Sequence, residues 1–185
     1  MRSVIYSMSV SLDGFIADRN GEIDWSVPDE ELHRFHNDQT RELGAHLCGR
    51  RLYEEMTYWE TAEPERSSEA YVREFTGLWR SLPKIVFSGT LDRVVGNTRL
   101  AGGGVAEEVA RLKAEPGGDV GVGGAGLASS LTQLGLIDEY RLFVNPVVLG
   151  GGTPYFPPLE QRIELELVET RTFASRVVYL RYRRV

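Results

Sequence analysis

The residues best suited to chemistry in this chain lie in the run Asp119-Val-Gly-Val-Gly-Gly-Ala-Gly-Leu-Ala-Ser-Ser-Leu131. It reads as a short β-branched strand, a glycine turn and the first turns of a helix. Gly123, Gly124 and Gly126 carry no Cβ, so backbone N–H groups there are open to a phosphate, and the helix that follows aims the positive end of its dipole at the same point. Such a turn suits a nucleotide pyrophosphate. The spacing Gly121-x-Gly123-x-x-Gly126 matches the dinucleotide fingerprint only in form, because no acidic residue closes a second strand about 20 residues later. Asp138 and Glu139 come too early and precede a strand. The alternative is an ordinary tight strand-to-helix turn.

Other polar groups mark the ends of apolar runs. Arg50 and Arg51 follow Gly49 at a helix start, where oriented N–H groups and fork-shaped cations suit a phosphate, or where both arginines are simply exposed helix residues. Ser88, Gly89 and Thr90 end the strand-like run Lys84-Ile-Val-Phe87. Asp13, in Leu12-Asp-Gly14, either binds a polar group of a substrate or stabilises the turn it occupies. His33 and His36 share one helix without a third ligand nearby, so no metal site is expected. Cys48 lies in the apolar run Ala45-His-Leu-Cys48 and reads as an inert core thiol. No Gly-x-Ser-x-Gly elbow occurs, which speaks against a hydrolase of that type.

Composition narrows the classes further. With 185 residues, 42% hydrophobic and 26% charged, the chain suits one globular domain over 1–185 with a single core. A net charge of −6 argues against nucleic-acid binding, and the basic tail Arg181-Tyr-Arg-Arg184 reads as a solvated strand face. No apolar run spans a membrane, and the opening residues look like a strand rather than a signal peptide. A lone cysteine fits a reducing, cytoplasmic setting.

Periodicity predicts strands over 2–11, 45–48, 84–88, 94–100, 119–123, 139–147, 162–172 and 177–184. Helices are predicted over 28–43, 50–57, 67–81, 104–114 and 125–134, the first beginning at Pro28 with acids in its first turn. The alternation implies an α/β fold, with a mostly parallel central sheet covered by helices on both faces. Ala174-Ser175 is too short for a crossover, so the last two strands form an antiparallel hairpin and the sheet is mixed. In such sheets ligands collect beyond the carboxyl ends of the strands, and the ends at 11–17, 48–52, 88–90, 123–127 and 147–154 all carry Gly, Ser, Thr, Arg or Asp.

Taken together, these turns resemble the dihydrofolate reductase fold, and more closely the reductase domain of the bifunctional riboflavin-biosynthesis deaminase–reductase. The resemblance rests on Gly123-Gly-Ala-Gly-Leu-Ala-Ser-Ser-Leu-Thr-Gln-Leu-Gly-Leu-Ile-Asp-Glu139 followed by Asn145-Pro-Val-Val-Leu-Gly-Gly-Gly-Thr-Pro-Tyr-Phe156. Ser9-Val-Ser-Leu-Asp-Gly-Phe-Ile-Ala17 and Gly49-Arg-Arg-Leu-Tyr-Glu54 extend it over the whole chain. It implies NADPH as cofactor. Val122, Gly123, Gly124, Ala125, Gly126 and Leu127 are then expected against the pyrophosphate, with Gly49, Arg50, Arg51 and Leu52 at the second helix start. Ser88, Gly89 and Thr90 are expected beside the adenosine and its 2′-phosphate, and the backbone of Ile16 and Ala17 at the nicotinamide carboxamide. Two departures are Leu52, where the family often has Thr, and Gly126, where dihydrofolate reductases commonly have Arg.

The resemblance also implies a substrate site. Trp25-Ser-Val-Pro-Asp-Glu-Glu-Leu-His-Arg-Phe35 resembles the region whose carboxylate grips a pterin, with Glu31 in the matching place; the alternative is that these acids merely cap a helix. Ser9, Trp25, Tyr53, Gly152 and Thr153 are expected near the substrate, Glu31 and Asp13 in catalysis. Tyr53, Tyr58, Trp59, Tyr155 and Phe156 form either a lid or plain core and dimer contacts. The implied activity is NADPH-dependent reduction of a small heterocycle, most like 5-amino-6-(5-phosphoribosylamino)uracil. The alternatives are a dihydrofolate reductase acting on a pterin and a catalytically inactive nucleotide-binding protein on the same fold. A homodimer is implied, with the C-terminal hairpin and the Gly150 to Phe156 turn as contacts.

Overall fold

A computed structural model describes residues 1–61 and 69–185. Its centre is β1 (Val4–Ser11), flanked by parallel β6 (Asp119–Gly123) and β7 (Glu139–Asn145). Outward from β6 lie β3 (Leu43–Gly49), β4 (Lys84–Phe87) and β5 (Thr98–Leu100), all parallel. On the other side β10 (Val178–Arg184) runs antiparallel to β7 and pairs with β9 (Leu165–Thr172) at the edge. The resulting order is β5-β4-β3-β6-β1-β7-β10-β9, the mixed sheet with an antiparallel end that the short Ala174-Ser175 link requires. Arg176, at φ 69°, sits in the left-handed region within that hairpin.

Among the described residues five α-helices cover the sheet: α1 (Glu30–Arg41), α2 (Arg50–Thr61), α3 (Ala70–Ser81), α4 (Val105–Ala114) and α5 (Ala125–Gln133). Strand alternation sorts the core between the two faces. Val4, Tyr6 and Val10 pack with Val109, Leu112, Leu127, Leu131 and Tyr155 on the side of α4 and α5. On the other side Phe143 and Tyr179 pack with Leu32 of α1, while Cys48 and Val86 pack with Tyr53 and Trp79.

Several boundaries differ from the periodicity. Pro28 stays outside α1, because the Asp29 side chain accepts from the Leu32 N–H and makes Asp29 the cap. The expected strand 94–100 shortens to Thr98–Leu100, since Gly96 takes φ 69° and the Val95 N–H turns away to the Tyr53 hydroxyl. Two short strands escape the periodicity altogether: β2 (Phe15–Ala17) and β8 (Thr153–Pro154), which pair antiparallel outside the main sheet. The first two residues of the helix expected over 67–81 lie outside the described residues.

Candidate active site

Because β1, β3, β4, β6 and β7 are mutually parallel, their carboxyl ends share one edge. There the loops after β1 and β7 are clamped together. Leu12 N–H donates to Val147 O at 2.8 Å, and the Asp13 carboxylate accepts from Leu149 N–H at 3.0 Å and Gly150 N–H at 2.7 Å. The Ser11 hydroxyl donates to Asp13 as well, and with the two amides it holds that carboxyl below the usual carboxylate range. Both Asp13 oxygens are therefore engaged in the turn. Ile16 is buried in the core, while Ala17 pairs with Thr153.

Next along the edge, α2 springs from β3 without a connecting loop. Arg50 is tied to Glu54 at 2.8 Å and to the Thr90 hydroxyl at 2.8 Å, joining this turn to the one after β4. In that second turn the Ser88 hydroxyl accepts from the N–H groups of Thr90 and Leu91, and the open side of Gly89 has no neighbour. Arg51 is exposed and has no partner among the described residues. With Asp18, Arg19, Gly152 and Thr153 it lines a polar pocket.

The glycine turn after β6 serves two purposes. Gly124 takes φ 94°, and no side chain caps α5, so the N–H groups of its first turn have no side-chain acceptor. Gly121 and Gly123 answer a packing need instead. A Cβ on Gly121 would meet His46 Cδ2 at 2.7 Å, and one on Gly123 would overlap Leu52 Cδ2. Leu52, at the position where the family often has Thr, fills the bare face of Gly123. Gly126 faces open space, and Val122 and Leu127 are core residues.

Beside this turn, on the α1–α3 face of the sheet, lies a cavity of about 330 Å³. Its walls are Met56, Trp59, Phe75 and Trp79, its rim includes Leu52 and Gly123, and Ser7 and Arg141 line it as cross-strand neighbours. All three histidines line it too. Desolvation pushes the imidazoles of His36 and His46 down to about 4, so both are neutral at pH 7. His46 Nδ1 lies 3.3 Å from Cys48 Sγ, and burial pushes that thiol up to about 12. The thiol therefore stays protonated at pH 7.

The expected substrate residues do not gather here. Glu31 accepts from Arg171 Nη2 and from the Ala174 N–H, both at 3.1 Å, which lowers its pKa and ties α1 to the C-terminal hairpin. The Tyr53 ring is buried and its hydroxyl accepts from Val95, while Trp25 donates to Glu22 O. Ser9 is half-buried on β1, and Gly152 and Thr153 belong to the pocket of Arg51. Of the aromatic group, Tyr155 is core, stacked 4.3 Å from Tyr6, and Trp59 alone lines the cavity. Arg181, expected on a solvated face, instead donates to buried Glu139 at 2.9 Å. Periodicity missed Ser7, His46 and Arg141. The available signal was the inward parity of Glu139, Arg141 and Phe143 on a strand expected to be covered on both faces.

Residues 2–179 match the RibD C-terminal domain family. The chain belongs to that family. Across 98% of its length it is 37% identical to the "Uncharacterized protein YyaP" of Bacillus subtilis (strain 168), covering 94% of that protein. The fold of this RibD C-terminal domain is similar to that of the diaminohydroxyphosphoribosylaminopyrimidine deaminase/5-amino-6-(5-phosphoribosylamino)uracil reductase of Thermotoga maritima. The TM-score is 0.68 at 19% identity, over all of this chain and 57% of that one. It is also similar to the dihydrofolate reductase of Enterococcus faecalis complexed with NADP(H), with a TM-score of 0.65 at 16% identity, over 98% of this chain and 96% of that one. The fold is therefore dihydrofolate reductase-like. Among the described residues, no helix is long and apolar enough to cross a membrane.

Proposed function

We propose that this RibD C-terminal domain is an NADPH-dependent reductase of a small heterocycle, with chemistry closest to that named for the reductase half of the Thermotoga enzyme. The observation that carries the reading is the shared position of the glycine turn. Gly123 belongs both to the rim of the apolar cavity and to the turn that leads into the uncapped N-terminus of α5, and Leu52 of α2 packs on it at that rim. A nicotinamide cofactor held by that turn supplies the hydride. The protein's part is then orientation and electrostatics.

In this reading the first-turn N–H groups of α5 and the Arg51 guanidinium hold phosphate groups, and Ser88, Gly89 and Thr90 lie beside the adenosine. Arg50 positions the turns through Glu54 and Thr90. The Ile16 and Ala17 backbone, fixed by β8, faces the carboxamide. The cavity excludes water from the acceptor ring. A pterin reading has no support in the cavity, because no carboxylate lines it among the described residues.

The test is a titration with NADPH and with NADH, followed by energy transfer from tryptophan to the nicotinamide. NADPH should saturate and NADH bind more weakly. Arg51→Ala should weaken both nucleotides about tenfold, the equivalent of one lost charge-assisted contact to the pyrophosphate they share. Absence of saturable binding of either nucleotide would overturn the cofactor assignment.

A further inference from the structure

The cavity floor carries a guanidinium whose hydrogen bonds the protein leaves partly unmade. Arg141 is only 4% exposed, and Nε donates to Glu139 Oε1 at 2.6 Å. Its Nη1 and Nη2 have no hydrogen-bond partner among the described residues. Glu139 also accepts from Arg181 Nη2, so one buried carboxylate serves two guanidiniums. Arg181 also lies 3.9 Å from Glu169, so two carboxylates answer the two guanidiniums; what Arg141 lacks is acceptors for its Nη groups, and unmade hydrogen bonds on an enclosed cation cost stability unless something supplies them. Ser7, directly across the strand pair from Arg141, lines the same cavity, and its hydroxyl has no hydrogen-bond partner among the described residues.

Everything else in the cavity is neutral. Trp59, Phe75 and Trp79 offer aromatic surfaces, Met8 and Met56 adaptable apolar ones, and His36 and His46 are uncharged. A volume of about 330 Å³ is at the small end for ligand pockets, enough for one or two fused rings.

From this arrangement we infer that Arg141, with Ser7, is the specificity-determining anchor of the cavity. The ligand it selects is a planar, uncharged ring that presents a carbonyl oxygen to the guanidinium. A ring presenting amino donors there meets a cation and no acceptor carboxylate. The assignment of this ring as hydride acceptor rests on the reductase reading above, but its binding does not.

The test uses two probes of the same bicyclic shape, quinazoline-2,4-dione with carbonyl acceptors and 2,4-diaminoquinazoline with amino donors. Each is titrated into the full chain, with and without NADPH, following quenching of tryptophan fluorescence and checking heats by calorimetry. The dione should saturate and bind at least about tenfold more tightly than the diamine. Arg141→Met should abolish that preference, and Ser7→Ala, a milder change, should reduce dione affinity severalfold without shifting the melting temperature appreciably. A diamine that binds as well as the dione, a dione that fails to saturate, or a preference that survives both substitutions would overturn the inference. Should Arg141→Met fail to fold, the wild-type preference and Ser7→Ala decide. NADPH binding without dione binding would sink this inference alone, whereas dione binding without NADPH binding would sink the cofactor assignment alone.

Discussion

The carboxyl edge of the sheet and the cavity beside it treat polar groups in opposite ways. At the edge, side chains that look reactive are bound to backbone: Asp13 holds two amides, Ser88 holds two more, and Arg50 bridges two turns. Among the described residues, the helix start of α5 has no side-chain cap and the exposed Arg51 no partner. In the cavity the polar groups are few, but His46 and Arg141 are enclosed and aligned with an apolar space. Exposed polar residues at strand ends therefore built a rigid rim, whereas polar residues hidden in strands produced the discriminating surface. The physical reason is dielectric: an enclosed guanidinium acts on a ligand with little screening, an exposed carboxylate does not.

The largest expected effect tests the neutrality of the cavity. Between pH 6.5 and 4 the unfolded chain takes up protons at His36 and His46 that the folded protein refuses, so stability should fall as pH falls through this window and level off below it. The loss should be roughly 1–3 kcal/mol per histidine, read from denaturant titrations at stepped pH, and His36→Phe should flatten the slope. A stability flat from pH 7 to 4 would mean that the imidazoles are hydrated and the contrast with the edge is false.

The rigidity of the edge is probed by Gly152→Ala. Gly152 has φ 138°, and an added Cβ would collide with the backbone carbonyl oxygen of Ala17, which cannot swing away as a side chain can. A loss of about 2–4 kcal/mol is expected in thermal and denaturant melts. A loss under about 0.5 kcal/mol would show that the β2–β8 clamp yields easily.

A smaller effect separates the two roles of the glycine turn. Gly123→Ala should cost about 1–2 kcal/mol by overpacking Leu52, and adding Leu52→Ala should recover part of it, so that the pair is non-additive. Strict additivity in a double-mutant cycle would return Gly123 to a purely phosphate-facing role.

Much of the fold was legible because it depends on local pattern. The alternation of β-branched runs with helical periods, the two-residue link at Ala174-Ser175 and the glycine-marked strand ends required a mixed, mostly parallel sheet with one polar edge. The candidate site was legible in outline only. The turns at 49–52, 88–90 and 123–127 do converge, but Glu31 and Asp13 are engaged elsewhere, because side-chain partners come from segments more than a hundred residues distant.

By itself the sequence determined the order of the main-sheet strands and helices along the chain, and which strand ends would be polar, since both follow from periods of two and 3.6 and from glycine's freedom at positive φ. Only the tertiary structure decided the rest. That Leu52 fills the face of Gly123, that His46 rests on Gly121, and that Arg141 shares Glu139 with Arg181 and faces Ser7 are matters of strand order and register. A charge becomes a recognition element only where the fold removes water around it and leaves its hydrogen bonds unmade.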